Sequence, residues 1–279
     1  MVKLFRSKKI PTAPNLVIGL NQVDLLGKWS PKIGLPMPET ERQIERRIND
    51  IKKQLSLGTS LLKVDQIEHY SALRAYRLYE LLAKIAKYSK PEAIIPVNPI
   101  SITNPRANPD MPESIRIKID EALKKIKEEM EAFSLDKLAK DMLAQGNLTE
   151  DEKRAFAEAW KKKKAEALKI GVIGKAGVGK TTTVNSLFQA KFVTSRTVVG
   201  TDKAQYKDFE LPNGSKLTIV DMPGYGRSVA EDEEYQKIYL AELPKCDIIL
   251  MVVQADSADF SDDQSMIKTI EEWCKIGII

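Results

Sequence analysis

The sequence predicts an α/β fold of three layers, with helices on both faces of a mostly parallel sheet that carries one antiparallel strand. Three observations point there. Short aliphatic runs alternate with amphipathic stretches in residues 1–90 and again in 169–279. The runs at 217–221 (LTIVD) and 247–253 (DIILMVV) are almost continuously apolar, as strands covered on both faces are. Asn213-Gly214 stands between two strand-like runs, a strong hairpin signal, and a hairpin reverses one strand against its neighbour.

The elements follow in order. Residues 16–20 (LVIGL) read as a buried strand. A helix is expected to begin near Thr40, where Thr40 and Gln43 have capping-box spacing and Ile44, Ile48, Ile51 and Leu55 line one face. A second strand is expected around 64–70, then a helix over 75–88 that buries Leu78, Leu81, Leu82 and Ile85. Residues 91–111, rich in Pro and Asn, read as a linker. Residues 112–168 read as helical: Ile115, Ile119, Leu123, Ile126, Met130 and Phe133 repeat at spacings of four and three as a narrow apolar seam. Thr149 and Glu152 have the spacing to cap a further helix carrying Phe156 and Trp160. The lysine run at 161–164 is expected to be a solvated face near a helix C-terminus.

Composition narrows the function classes. A chain of 279 residues with 43% hydrophobic and 30% charged residues has material for a sizeable core, which excludes disorder throughout, a collagen-like fibre and a disulfide scaffold. The longest wholly aliphatic stretch, 248–253, is far short of the roughly 20 residues of a membrane span. The basic start MVKLFRSKK is not followed by an apolar run, so a secretory signal is not expected and a cytoplasmic location is. Cys246 and Cys274 have no metal-ligand spacing and are expected to be buried thiols. The net charge of +5 permits contact with nucleic acid or acidic lipid without arguing for it. His69, the single histidine, is expected to be a packed strand residue, and Trp29, Trp160 and Trp273 core or interface residues.

The motif with the most chemistry is GKAGVGKT at 174–181, which fits G-x-x-x-x-G-K-[ST], a phosphate-binding loop. By residue frequencies the pattern arises by chance in roughly one chain in a hundred, and here it follows a strand and opens a helix, as the motif requires. In such a loop the backbone N–H groups of Gly174, Lys175, Ala176, Gly177, Val178, Gly179, Lys180, Thr181 and Thr182 turn toward a polyphosphate. The Lys180 ammonium reaches the outer phosphates, the Thr181 hydroxyl ligates Mg²⁺, and the helix N-terminus adds positive potential. DMPG at 221–224 closes the strand LTIVD. There Asp221 would hold magnesium through water and the Gly224 N–H would sense the third phosphate. In the segment between, Thr201 is the expected magnesium-contacting threonine, with Thr197 as the alternative.

GKAGVGKTTTVNSLF and LTIVDMPGYG resemble the translation-factor-related class of P-loop GTPases, Era-like GTPases in particular. The resemblance implies a six-stranded sheet, GTP or GDP as ligand with Mg²⁺, and an N-K-x-D motif for guanine after the strand that follows DIILMVV. The chain has no such motif there. Residues 16–24 (LVIGLNQVD) instead look like the base-specificity strand and loop, with Asn21, Gln22 and Asp24 in the motif positions. A lone N-x-x-D arises in roughly every second chain, so the strand before it matters. Ser71-Ala72-Leu73 resembles the family's S-A-[KL] loop, in which a backbone N–H meets the guanine oxygen. The chain therefore reads as a circularly permuted GTPase domain, 1–90 and 169–279, with 91–168 connecting the original termini; permutation is tolerated where termini lie close together. An engineered permutant or a piece of a tandem pair would have the same order. In this reading the Asp24 carboxylate accepts from the ring N–H and amine of guanine, and sites of that kind discriminate by roughly 10⁴-fold or more.

The departures shape the mechanism. Gln22 replaces the usual Lys of the base motif, Tyr225 stands where Ras-like enzymes place a water-orienting Gln, and Gly177 does not supply the Asn of potassium-dependent relatives. The expectation is a molecular switch over 194–203 and 221–235 with slow intrinsic hydrolysis, raised by homodimerisation or by an activating partner that supplies an arginine; Arg196 and Arg227 are minor candidates in cis. Three alternatives stay open. The permuted order also resembles ribosome-assembly GTPases that bind RNA. A nucleotide-binding interaction module without turnover would use the seam at 115–133. Lys175 gives a likeness to the deviant loop of partitioning ATPases, whose extra lysine reaches across a dimer.

Overall fold

The side-chain alternation of each strand decides which helices cover it. In a computed structural model, which describes residues 15–32, 34–57, 59–88, 149, 151, 154, 168–188, 203–210, 216–226 and 229–276, six strands form one sheet. They are β1 (Asn15–Asn21), β2 (Ile67–His69), β3 (Leu168–Ile173), β4 (Gln205–Glu210), β5 (Lys216–Asp221) and β6 (Ile248–Gln254). Their order is β2-β1-β6-β3-β5-β4. All neighbours are parallel except β4, which pairs antiparallel with β5 from Gln205↔Asp221 to Glu210↔Lys216. The sheet is thus six-stranded with one reversed strand, consistent with a P-loop GTPase α/β fold; the Asn213-Gly214 turn lies outside the described residues.

Among the described residues, five helices flank the sheet: α1 (Pro38–Ser56), α2 (Leu78–Tyr88), α3 (Lys180–Phe188), α4 (Val229–Glu242) and α5 (Ser261–Lys275). Leu16, Ile18 and Leu20 of β1 and Ile249, Met251 and Val253 of β6 pack with Ile44, Ile48, Ile51 and Leu55 of α1 and Met266, Ile267 and Ile270 of α5. The intervening residues, Val17 of β1 and Ile248, Leu250 and Val252 of β6, join the other core with Leu78, Leu81, Leu82 and Ile85 of α2 and Val184 and Leu187 of α3. Period-two strands between period-3.6 helices leave both sheet faces dry.

Three local expectations are corrected. Helix α1 starts at Pro38 after Met37, and the Thr40 hydroxyl donates to the Lys28 carbonyl at 2.8 Å, so no capping box with Gln43 forms. The proline sits in the first turn, where its missing N–H costs no bond. The strand expected over 64–70 is only Ile67–His69. Val64–Gln66 is a 3-10 turn, because the Gln66 side chain accepts from the Lys63 N–H (2.7 Å) and donates to the Leu16 carbonyl (2.7 Å). Helix α2 begins at Leu78 rather than 75, since Ala75 (φ 51°) and Arg77 (φ 55°) are left-handed and cannot continue a right-handed helix. Cys246 is buried as expected, its thiol pushed up to about 12 by burial, whereas Cys274 is half-buried. The seam at 115–133, the lysine run, Glu152, Phe156 and Trp160 lie outside the described residues.

Because β1, β2, β3, β5 and β6 are parallel, Asn21, Ser71, Gly174, Asp221 and Gln254 gather at one edge of the sheet. Open α/β sheets bind ligands outside the carboxyl ends of their strands.

Candidate functional site

The loop at 174–179 leaves β3 and runs directly into α3. Gly179 has φ +89°, and a Cβ there would stand 2.6 Å from Asn21 Nδ2, so both backbone conformation and space call for glycine. Lys180 is 8% exposed, and its Nζ donates to the carbonyls of Gly174 (3.0 Å) and Lys175 (2.9 Å), arching over the loop. One residue on, the Thr181 hydroxyl donates to Asp221 Oδ2 at 2.5 Å. Asp221 is fully buried, and among the described residues its Oδ1 has no hydrogen-bond partner. Burial raises the Asp221 carboxyl above its ordinary range, while Thr181 and Lys180 pull the other way. A hydroxyl beside a carboxylate with an orphaned buried oxygen is a hard-oxygen donor set of the kind Mg²⁺ takes, so these residues fit that ion.

The segment after β5 is stitched to the loop. Met222 N–H donates to the Val172 carbonyl (3.1 Å), and Ala176 N–H to the Tyr225 carbonyl (3.0 Å). At Gly224 a Cβ would stand 2.7 Å from both Ala176 N and Lys180 Nζ, so the backbone there touches the phosphate loop and its lysine. The buried Tyr225 side chain donates to Asp263 Oδ1 of α5 at 2.8 Å. Beside it Lys175 Nζ pairs with Asp262 Oδ2 at 2.9 Å, within the same chain. Burial lifts the Asp263 carboxyl to about 6 against the pull of Tyr225 and Lys175. The Tyr239 hydroxyl donates to the Pro223 carbonyl. Sequence reasoning missed Asp262, Asp263 and Tyr239. Two acids in the first turn of a helix look like dipole partners, and nothing local says they face another loop.

From the other end of the chain, Asn21 closes β1 and reaches both loops. Its Nδ2 donates to the Val178 carbonyl (2.9 Å), and its Oδ1 accepts the Ala72 N–H (3.0 Å). Gln22 is left-handed (φ 65°), and its Nε2 lies 3.4 Å from the Gly177 carbonyl. Asp24 Oδ1 accepts the Ser71 hydroxyl at 2.6 Å. Ser71 and Tyr76 exchange two backbone hydrogen bonds of 3.0 Å, which closes the loop around Ala72, Leu73, Arg74 and Ala75. Trp29 packs edge-on to Tyr76 (5.1 Å), with Arg74 over the Trp29 ring (5.1 Å). Leu73 is 70% exposed. Asn21, Gln22, Asp24, Ser71 and Ala72 therefore gather beside the 174–182 loop, and Leu73 stands at the rim. Thr201, Thr197, Arg196 and Arg227 lie outside the described residues. His69 ends β2 half-buried beside Glu68, as a packed strand residue does. Among the described residues no helix is long and apolar enough to cross a membrane.

Residues 169–279 match the family model described as 50S ribosome-binding GTPase. The chain is 34% identical over 96 residues to the uncharacterized protein YkfA of Escherichia coli K12, covering 34% of this chain and 33% of that one. It is 35% identical over 113 residues to translocase of chloroplast 132 of Arabidopsis thaliana, covering 37% and 9%. It is 31% identical over 108 residues to GTPase Der of Burkholderia multivorans, covering 37% and 24%. The chain thus spans about a third or less of the length of these curated relatives. The family match falls on the segment that carries the loop at 174–182 and Asp221.

Proposed function

We propose that the chain is a guanine-nucleotide switch that binds Mg²⁺–GTP and hydrolyses it slowly to GDP and phosphate, in a circularly permuted GTPase domain whose base-recognition half (1–90) precedes its phosphate-binding half (169–279). The observation that carries the reading is Asn21, one side chain hydrogen-bonded at once to Val178 of the phosphate loop and to Ala72 of the base loop. In this reading residues 174–182 cradle the phosphates, and Lys180 leaves its two carbonyls for the outer phosphate oxygens. Thr181, Asp221 and Thr201 would hold Mg²⁺, which would supply charge neutralisation at the phosphates. The Gly224 N–H reports the third phosphate. Asn21, Gln22, Asp24, Ser71, Ala72 and Leu73 form the guanine pocket. Ser71 orients the Asp24 carboxylate toward the ring N–H and amine of guanine, two donors that adenine does not offer there.

Slow turnover follows from Tyr225. The side chain in the water-orienting position is committed to Asp263, so an activating group comes from a second copy or a protein partner. The test is thermal stability with magnesium and saturating GTP, GDP or ATP, in wild type and Asp24→Ala. A ligand at 100 times its dissociation constant adds about 2.7 kcal/mol. A shift with guanine nucleotides alone, lost in Asp24→Ala, is the expected result; a shift with ATP, or one indifferent to Asp24, breaks the permuted reading and leaves the phosphate loop standing.

The description of the matching family favours a second reading, association with the large ribosomal subunit. Salt-sensitive co-sedimentation with ribosomal particles supports it, and none at low salt discards it.

A further inference from the structure

Tyr70 and Thr183 belong to neither motif, yet they meet in the core between the loop that begins at Ser71 and the loop that ends at Gly179. Both are fully buried, and their hydroxyls lie 2.7 Å apart. The Thr183 hydroxyl also lies 2.9 Å from the Gly179 carbonyl, to which it donates. Its one proton is thereby used, so the Tyr70 hydroxyl is the donor in the pair. Burial raises the Tyr70 phenol well above its ordinary value, which keeps that proton in place. The result is a directed chain of hydrogen bonds, from Tyr70 to Thr183 to Gly179, the last residue of the phosphate loop before Lys180.

The other end of Tyr70 is built into the base side. Its N–H donates to the Leu20 carbonyl (2.9 Å), its carbonyl accepts from Val23 N–H (3.4 Å), and Ser71 follows directly. Its ring lies against Gly19, where a Cβ would stand 2.7 Å from Cε1, so β1 leaves room for this side chain. One turn beyond Thr183 on α3, the Ser186 hydroxyl donates to the Ala72 carbonyl at 3.0 Å. Two hydroxyls on one face of the phosphate-loop helix thus grip the residues on either side of Ser71.

We propose that Tyr70 and Thr183 are positioning residues that couple the base loop to the phosphate-loop helix, so that this helix holds the base-recognition residues in their nucleotide-binding geometry. The inference rests on the guanine-nucleotide reading above. It assigns a specific role to an inter-half bond that plain core packing would not need: a phenylalanine at position 70 fills the same space without the hydrogen bond.

The experiment measures dissociation constants for GDP, ADP and inorganic pyrophosphate, with magnesium, by calorimetry. The proteins are wild type, Tyr70→Phe, Thr183→Val, Thr183→Ser, Asp24→Ala and the Asp24→Ala/Tyr70→Phe double variant. Coupling predicts that Tyr70→Phe and Thr183→Val lose about tenfold in GDP affinity, the scale of one buried hydrogen bond, with pyrophosphate affinity unchanged. Thr183→Ser keeps the hydroxyl and restores GDP binding. In the Asp24→Ala background, Tyr70→Phe has no further effect, because the base contact it supports is already gone. Equal losses for GDP and pyrophosphate mean general loosening and overturn the proposal, as does an unchanged GDP affinity in both hydroxyl deletions. Should one deletion fail to fold, the other decides. Wild type that binds ADP as tightly as GDP overturns the guanine reading and this inference together; GDP-selective wild type with no base-dependent loss overturns this inference alone.

Discussion

Asp221 has two carboxylate oxygens in the same buried place with different fates. Oδ2 accepts the Thr181 hydroxyl, and Oδ1 accepts from nothing among the described residues. A buried acceptor left unsatisfied costs roughly 1–3 kcal/mol, a cost that a bound cation and its waters remove. Asp221→Asn keeps the size and deletes the charge. Its expected effect is a magnesium requirement for GTP-induced stabilisation raised by roughly 10–100-fold, the usual scale for a group that supports a metal through water. The measurement is a magnesium titration of the thermal shift at fixed GTP. An unchanged half-point would remove Asp221 from the metal site. The same scale explains Gln22 and Tyr225. Each departs from its motif, and each has its side chain directed by the fold, Gln22 toward the Gly177 carbonyl and Tyr225 toward Asp263.

Strand β2 and helix α2 show how an element at the sheet edge is held. Glu68 lies nearly buried between strand and helix, within 2.8 Å of Arg77 Nη2 and 3.7 Å of Lys84 Nζ. Burial alone would raise its carboxyl; His69 and Arg77 overcome that and hold it down at about 2, against 4.5 ordinarily. A carboxyl whose folded value is depressed stabilises above its unfolded value, and that stability is lost as pH falls. Glu68 therefore contributes fully above about pH 4.5, and the contribution disappears between there and about pH 2, with an upper bound of about 3 kcal/mol. Denaturation of Glu68→Gln across pH 7 to 2 should show lower stability than wild type at neutral pH and a shallower decline below pH 5. Parallel profiles would mean that the ion pair contributes nothing to stability. The loop over 70–76 follows β2 directly, so this edge cluster also anchors it.

At the scale of the whole molecule, the chain's two ends make one sheet. β1 pairs with β6 along its full length, from Asn15↔Ile248 to Asn21↔Gln254. Arg47 of α1 donates to the carbonyls of Ala255 and Ser257, and Glu271 of α5 accepts from the hydroxyls of Thr59 (2.6 Å) and Ser60 (2.5 Å). Helices of the first half pack on strands of both halves, so the two halves are expected to respond to nucleotide together. Hydrogen exchange with and without GDP should show protection in 15–24 and 67–76 as well as in 168–188 and 216–226. Protection confined to the second pair of segments would show that the first half takes no part in binding. The α5 contacts of Lys175 and Tyr225 give the phosphate side a mechanical link to α1, through Gln264, which donates to the Gln54 carbonyl at 2.9 Å.

What the sequence by itself determined was local and periodic. The turn at 174–179 between β3 and α3 is legible because glycines at fixed spacing take the left-handed backbone it needs. The strands at 16–20, 217–221 and 248–253 are legible because burial on both faces demands unbroken apolar runs. The Asn213-Gly214 signal predicts the reversed β4 because a two-residue turn has few solutions. The tertiary structure alone decided that Asn21 reaches Val178 and Ala72, that Tyr225 is held by Asp263, and that Tyr70 meets Thr183 across 113 positions of sequence. Such contacts leave no periodicity and no spacing rule, since each depends on two distant elements arriving at one edge of the sheet. The misplaced start of α1 has the same origin. Thr40 is a good cap in isolation, but its hydroxyl is taken by the carbonyl of Lys28, which only the folded loop brings near.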